Sequence, residues 1–461
     1  MTPIRKKLLI IGAGPAGYTA ALRAAHYGID TALIDNHQPG GVCLNRGCIP
    51  TKTLLESTSL AAAVNSGVFG LQGKISADLT AIFQRKEQIV QKLSSGITSL
   101  LKARGVTLFC SSARFTGSKT VTLTDGQIIE AENILLALGA EPALPSIPGI
   151  ELAKTSDDIL SCNFEKYQQI SIIGAGVIGI ELATFFSQLG SKVTLLEGLP
   201  TILPSFPSDT VKYIGMALRR SGIKTILNTK VQSISQQENG NLLVYYEEKG
   251  KSAALDSELV IVCTGRRPRS IEGLEEYCGI HFDRGIPTNE QGETSSPGIY
   301  AAGDCVRGSI QLAHYASARA VAIINSLAGK PVHTNFDSVP SCIYTIPPAA
   351  KAGLSEKEAL DSGHQIQIGK FNLGANGKSL ISAEERGFVK VIFDSENEQL
   401  LGIELVAAQA PEMVGMLSIL IAMKAKRSDL LRGIFPHPSV SEGIMEAIED
   451  SQKQAIHVLY R

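Results

Sequence analysis

The chain has 461 residues, 44% hydrophobic and 19% charged, and its 43 basic and 44 acidic residues leave a net charge of −1. That is ordinary globular composition; it excludes a disordered or fibrous chain, and the length suggests about three domains. Near-neutrality argues against nucleic acid or an anionic membrane surface as the main partner, and no apolar run reaches the roughly 18 residues of a membrane span. Eight cysteines in a chain this long are not a disulfide scaffold. Glycine, at 44 residues, exceeds the usual level of about 7%, so the backbone must approach something closely.

Arg5, Lys6 and Lys7 before Leu8 to Ile11 look like the start of a secretory signal. The apolar run stops at Gly12, too short for a signal core, so residues 7–11 are expected to form a first strand and the protein to be cytoplasmic. Gly12-Ala13-Gly14-Pro15-Ala16-Gly17 follows, then an alanine-rich helix to about His26 and a strand from Thr31 to Ile34 ending at Asp35. In such a unit the first glycine allows a tight turn, the second lets backbone reach a pyrophosphate, and the third lets helix pack on strand. The helix N-terminus faces the phosphates, and Asp35 is placed to accept from a ribose hydroxyl.

Cys43 and Cys48 come next, five residues apart. On one ideal helix their Cα atoms would be about 8.6 Å apart, beyond the bridging limit of about 7 Å. A disulfide here needs a non-ideal turn, for which Gly47 supplies freedom, and Pro50 is tolerable only near a helix start. So small a loop adds little stability, and a reversible dithiol is the more sensible use. No other Cys or His lies nearby with zinc-type spacing, so no metal is expected. Residues 82–103 read as an amphipathic helix.

The dinucleotide pattern then returns. Gln169 to Ile173 is a strand, Gly174-Ala175-Gly176-Val177-Ile178-Gly179 the turn, and Lys192 to Leu196 a strand ending at Glu197. Every glycine and the acid are displaced by 162 residues from the first copy (12 to 174, 35 to 197). One such motif is weak; two with the same spacing to an acid point to two dinucleotide sites. Glu197 favours NAD, because a carboxylate repels a 2′-phosphate and no Arg or Lys stands between Glu197 and Lys212.

The run Gly40-Gly41-Val42-Cys43-Leu44-Asn45-Arg46-Gly47-Cys48-Ile49-Pro50-Thr51-Lys52, framed by the two motifs, resembles the pyridine nucleotide–disulfide oxidoreductases. The likeness covers nearly the whole chain and is greatest to those members that oxidise a dihydrolipoyl dithiol and reduce NAD. It implies an α/β fold: two Rossmann-like dinucleotide-binding domains, for FAD (1–145 and 270–336) and NAD (146–269), and a C-terminal α+β dimerisation domain (337–461). Tyr300-Ala301-Ala302-Gly303-Asp304 is similar to the family's second flavin motif, which gives Asp304 the ribityl chain. Thr264-Gly265-Arg266-Arg267-Pro268 resembles the strand exit of the NAD domain, and Ser341-Cys342-Ile343-Tyr344-Thr345 the opening of the dimerisation domain.

His437-Pro438-Ser439-Val440-Ser441-Glu442 resembles the family's catalytic histidine–glutamate segment. By this likeness His437 is the base, Glu442 orients it, Cys43 exchanges with substrate and Cys48 faces the flavin. Lys52 places positive charge by the flavin, paired with Glu181. The histidine serves the other subunit, so an obligate homodimer is expected, with a lipoyl-bearing carrier protein as partner. Leu138, Arg269 and Pro348 depart from the usual Thr, Asn and Glu; they bear on nucleotide seating and carrier recognition more than on chemistry. Competing readings are a reductase of glutathione or another small disulfide, a mercuric reductase, and a regulatory flavoprotein. The first prefers NADP, the second wants a C-terminal cysteine pair beyond Cys342, and the third does not need Cys43, Cys48 and His437 intact. In the C-terminal part, strands are expected at Gln365 to Leu373, Gly387 to Phe393 and Leu400 to Leu405, and helices at about 410–425 and 439–450.

Overall fold

A computed structural model describes residues 2–161, 164 and 166–460. The first strand, β1 (Ile4–Ile11), is longer than its apolar run: its first half alternates with solvent and Leu8 to Ile11 are buried on both faces. That is the pattern of a strand inside a parallel sheet covered by helices. β1 lies between β2 (Thr31–Asp35) and the strand Ile128–Leu136, parallel to both, in a seven-stranded sheet. Ile299–Ala301 joins the same sheet beside Ile128–Leu136, so the chain leaves this unit and comes back to it. Helix α1 (Pro15–His26) starts on Pro15, whose fixed φ suits a first helical position. Its buried Ala16, Ala20, Ala21 and Ala24 let it lie close to the sheet and to the helix Ala313–Leu327.

The second unit repeats the plan. Gln169–Ile173 sits between Lys192–Leu196 and Leu259–Val262 in a five-stranded parallel sheet, joined by a three-stranded antiparallel sheet from Thr229 to Ser257. The chain passes in and out of this unit through one antiparallel ribbon, Ala140–Pro142 against Arg266–Pro268. Arg266 binds Asp157 at 2.7 Å, and Arg267 and Arg269 converge on Glu141 at 2.7 and 3.4 Å. The departure at Arg269 thus has a local partner.

The C-terminal unit is a five-stranded antiparallel sheet flanked by the helices Ala410–Ala422 and Glu442–Asp450. Its strands Ile366–Asn372, Phe388–Asp394 and Leu400–Val406 fall within a residue of expectation. The last helix begins at Glu442 rather than 439, because the Glu442 carboxylate accepts the Ser439 amide and holds the preceding loop. The helix Leu79–Ala103 starts three residues early, where the Asp78 side chain caps it by accepting from the Ala81 amide at 3.0 Å. One apolar cluster joins all three units: Leu54 and Phe83 from the first, Phe185 and Phe186 from the second, Phe388 and Val406 from the third.

Candidate active site

The two cysteines sit on two helices. α2 (Gly41–Arg46) ends before Gly47 and α3 (Cys48–Asn65) begins after it. The break at Gly47 (φ −144°, ψ −110°) brings the Cα atoms of Cys43 and Cys48 to 4.7 Å, and the pair forms a disulfide. The Gly47 carbonyl accepts from the Thr51 amide and hydroxyl at 3.0 and 2.7 Å, which starts the second helix. Pro50 lies in that first turn, where a missing N–H costs nothing. The α2 end is tied to the glycine turn, since the Gly40 amide donates to the Ala13 carbonyl at 2.8 Å.

Lys52 follows Cys48 by one helical turn. Its ammonium donates to Glu181 Oε2 at 2.7 Å and lies 4.6 Å from the centre of the Tyr344 ring. Glu181 is 3% exposed, and its other oxygen accepts the Tyr344 amide at 3.0 Å. One carboxylate therefore binds the first unit's lysine and the third unit's backbone from a helix of the second. Sequence reasoning paired Lys52 with Glu181 but assigned nothing to Tyr344; no local signal marks it. Cys342, two residues before, has its thiol pushed up to about 11 by burial, with the Lys52 charge opposing.

The two glycine turns match atom for atom. Gly12 and Gly174 take φ of +102° and +105°, open only to glycine at low cost. A Cβ on Gly17 would stand 1.7 Å from the Gly12 carbonyl oxygen, and one on Gly179 would stand 2.1 Å from that of Gly174. The third glycine thus packs on the first one's carbonyl. Beside Gly176 nothing lies within 4 Å. The acids brace the turns: Asp35 accepts the Ala13 and His37 amides at 2.6 and 2.8 Å, and Glu197 accepts the Ala175 and Leu199 amides at 2.6 and 2.9 Å. This bracing was not read from the sequence, which saw only a ribose acceptor. A carboxylate has about four lone-pair positions, so two amides leave room for hydroxyls.

A cavity of about 490 Å³ opens from Gly12 over Asp35, and Leu138 and Arg269 line its wall. Two of the three departures therefore touch this cavity. Asp304 is half-buried, and among the described residues no hydrogen bond satisfies its carboxylate. Burial pushes its pKa up, with Arg266 opposing. An unpaired acid beside a glycine cradle fits a ligand rich in hydroxyls and phosphate. At the strand exit, Gly265 (φ +106°) has open space beside it, and its carbonyl accepts the Ala143 amide at 3.0 Å.

His437 stands apart. Its Nδ1 lies 2.8 Å from Glu442 Oε1, and the ring is 80% exposed. Glu442 is held below the usual carboxylate range by the Ser439 amide first and His437 second. Among the described residues no hydrogen bond or ion pair joins His437 to Cys43 or Cys48 within the chain. The half-buried Pro348 offers its carbonyl to the Ala407 amide at 3.0 Å, just ahead of the strand Ala349–Gly353.

The profile of the pyridine nucleotide-disulphide oxidoreductases matches residues 6–320, and that of their dimerisation domain matches residues 339–448. The chain belongs to this family and is a flavoprotein disulfide oxidoreductase whose cofactors are FAD and NAD(H). Among curated proteins it is similar to a dihydrolipoyl dehydrogenase of Thermus scotoductus, 37% identical over 98% of this chain and 99% of that one. A dihydrolipoyl dehydrogenase of Bacillus subtilis is 34% identical over 98% of this chain and 99% of its own. Among solved structures it is similar to the HOCl-induced flavoprotein disulfide reductase RclA of Escherichia coli, with a TM-score of 0.86 and 28% identity over 96% of this chain and 99% of that one. Among the described residues no helix is long and apolar enough to cross a membrane.

Proposed function

We propose that the protein oxidises protein-bound dihydrolipoyl groups and reduces NAD, working as a homodimer. The observation that carries this reading is an imidazole aimed by Glu442 and exposed on a dimerisation domain, in a chain that carries its own Cys43–Cys48 disulfide. In this reading residues 1–145 and 270–336 hold FAD, through the first glycine turn, Asp35 and Asp304. Residues 146–269 hold NAD, through Gly174, Gly176, Gly179, Glu197 and Gly265, and residues 337–461 form the dimer.

His437 of one chain takes the proton from a substrate thiol at the partner's dithiol, since imidazole exchanges protons near neutral pH. Glu442 fixes the ring and balances the imidazolium. The substrate thiolate attacks Cys43 Sγ; that S–S bond breaks and Cys48 leaves as thiolate. The second substrate thiol loses its proton and attacks the substrate sulfur bound to Cys43. The substrate disulfide closes and the protein keeps a reduced dithiol. Lys52, held by Glu181 and faced by the Tyr344 ring, supplies positive charge one turn from Cys48. Bound FAD and NAD supply the two-electron path that returns the dithiol to the disulfide.

A second reading is an NADH-driven reductase of another disulfide, favoured by the likeness to RclA. Anaerobic mixing with dihydrolipoamide, followed by NAD or NADP, separates the two. A long-wavelength thiolate–flavin band and then NADH formation is the expected result. A flavin that ignores dihydrolipoamide but is bleached by NADH would move the protein to the second reading.

A further inference from the structure

The helix Glu442–Asp450 holds two histidine–carboxylate pairs one turn apart. The first is His437 with Glu442. The second is His457, from the C-terminal tail: its Nδ1 lies 2.7 Å from Glu446 Oε1, and its amide donates to Glu446 Oε2 at 3.1 Å. Glu446 is 13% exposed and grips both the ring and the backbone of His457. The tail is anchored again beyond this point, where the Tyr460 hydroxyl donates to Asp450 Oδ1 at 2.9 Å and accepts the Ala455 amide at 3.0 Å.

We propose that the His457–Glu446 pair positions charge for the reaction at His437, a cationic His457 offsetting the carboxylates of this helix so that His437 gives up the proton it collects. The proposal rests on the dithiol-oxidation reading above. Oxidising a dithiol by NAD takes two thiol protons and two electrons and delivers one hydride, so each turnover must release one proton. A base flanked only by carboxylates would hold that proton longer.

The groups acting on His457 are Glu446, Glu442 and Glu449, and together they push its pKa up, Glu446 most. Glu442 in turn feels both His437 and His457. From the neighbouring strand Ile366–Asn372, Lys370 gives its amide to Asp450 at 2.8 Å and turns its ammonium to Asp209 at 2.7 Å. The Lys370 ammonium is therefore engaged away from Glu442 and Glu446. Glu442 and Glu446, four apart on the helix, lie roughly 6 Å apart and each imidazole stands a hydrogen bond beyond its carboxylate, so the two rings act on each other over on the order of 10 Å; a unit charge at that range in water shifts a neighbour's titration by about a third of a pH unit.

His457→Gln and His457→Lys are compared with the parent holoenzyme in two measurements. One is kcat/KM for dihydrolipoamide against pH. The other is the pH dependence of iodoacetamide alkylation of Cys43 in the dithiol-reduced protein, mapped by peptide mass. The Gln variant should move the acid limb of both curves up by about a third of a pH unit with the plateau kept, and the Lys variant should leave both in place. A Gln curve lying on the parent's overturns the proposal. So does a Lys curve displaced as far as the Gln curve, which would make His457 a packing residue. A parent that does not turn over dihydrolipoamide sinks the proposed function instead, and the alkylation curves then decide the role of His457 alone.

Discussion

At the first glycine turn the dithiol helix lies on the loop: a Cβ on Gly41 would come within 2.5 Å of the Gly14 Cα. At the second turn a Cβ on Gly176 would meet nothing within 4 Å. The acids run the other way, Glu197 of the second turn being 9% exposed and Asp35 of the first more open beside the cavity. By what packs on its glycines, the same turn is roofed in one copy and open in the other. A roofed site suits a cofactor that stays and an open one suits a cofactor that exchanges, the division expected of FAD and NAD here. The motif alone does not make that distinction; what packs on it does.

The largest test of this contrast acts on the roofed side only. Cys48→Ser should cut dihydrolipoamide turnover by on the order of 10³-fold or more, while NADH still bleaches the flavin in stopped flow. Full turnover in that variant would break the proposed chemistry. His437→Gln should cost about 10²–10⁴-fold in dithiol oxidation, again sparing the NADH half-reaction. Equal loss of both halves would contradict its role as base.

Two matched substitutions compare the turns directly. Gly17→Ala and Gly179→Ala each drive a methyl into a carbonyl, a cost of roughly 1–3 kcal/mol. The first should leave the purified protein short of flavin. The second should keep the flavin and raise KM for NAD. Identical outcomes at the two sites would erase the distinction between resident and exchanging cofactors.

The smallest effect concerns Asp304. Burial sets its folded-state pKa above the unfolded value. The folded chain therefore holds that proton more tightly, and stability is lost as pH rises through the carboxylate range. Asp304→Asn removes the ionisation. Stripped of flavin, it should melt at or roughly a degree or two above the parent at pH 7, with no gain at pH 3. The same variant should retain flavin less well. A variant that melted lower at neutral pH than in acid, relative to the parent, would reverse this assignment.

Much of the fold was legible because its instructions are short-range. Four apolar residues before a glycine turn specify a strand buried on both faces, and the strands Gln169–Ile173 and Lys192–Leu196 lie where expected. The cysteine spacing was legible as a demand for a non-ideal turn; that the turn is a break between two helices at Gly47 came from the structure. Less legible was Asp35 or Glu197 bracing its own turn, although each lies 22 residues from the amide it accepts. A pattern shows that an acid is placed at a strand end; it does not show which lone pairs the backbone has already claimed. The pairing of Arg269 with Glu141 and of His457 with Glu446 was not legible at all, since neither spacing has a local signature.

The sequence by itself determined the repeated strand–turn–helix units, the positions that tolerate only glycine, and the need for a non-ideal turn between the two cysteines. These depend on backbone torsions and on contacts within a few residues or one βαβ unit. The tertiary structure alone decided that Glu181 binds Lys52 across 129 residues and the Tyr344 amide across 163, and that one turn is covered and the other open. Charges and amides that far apart meet only through the path of the whole chain. A buried carboxylate accepts whichever donors that path delivers to it.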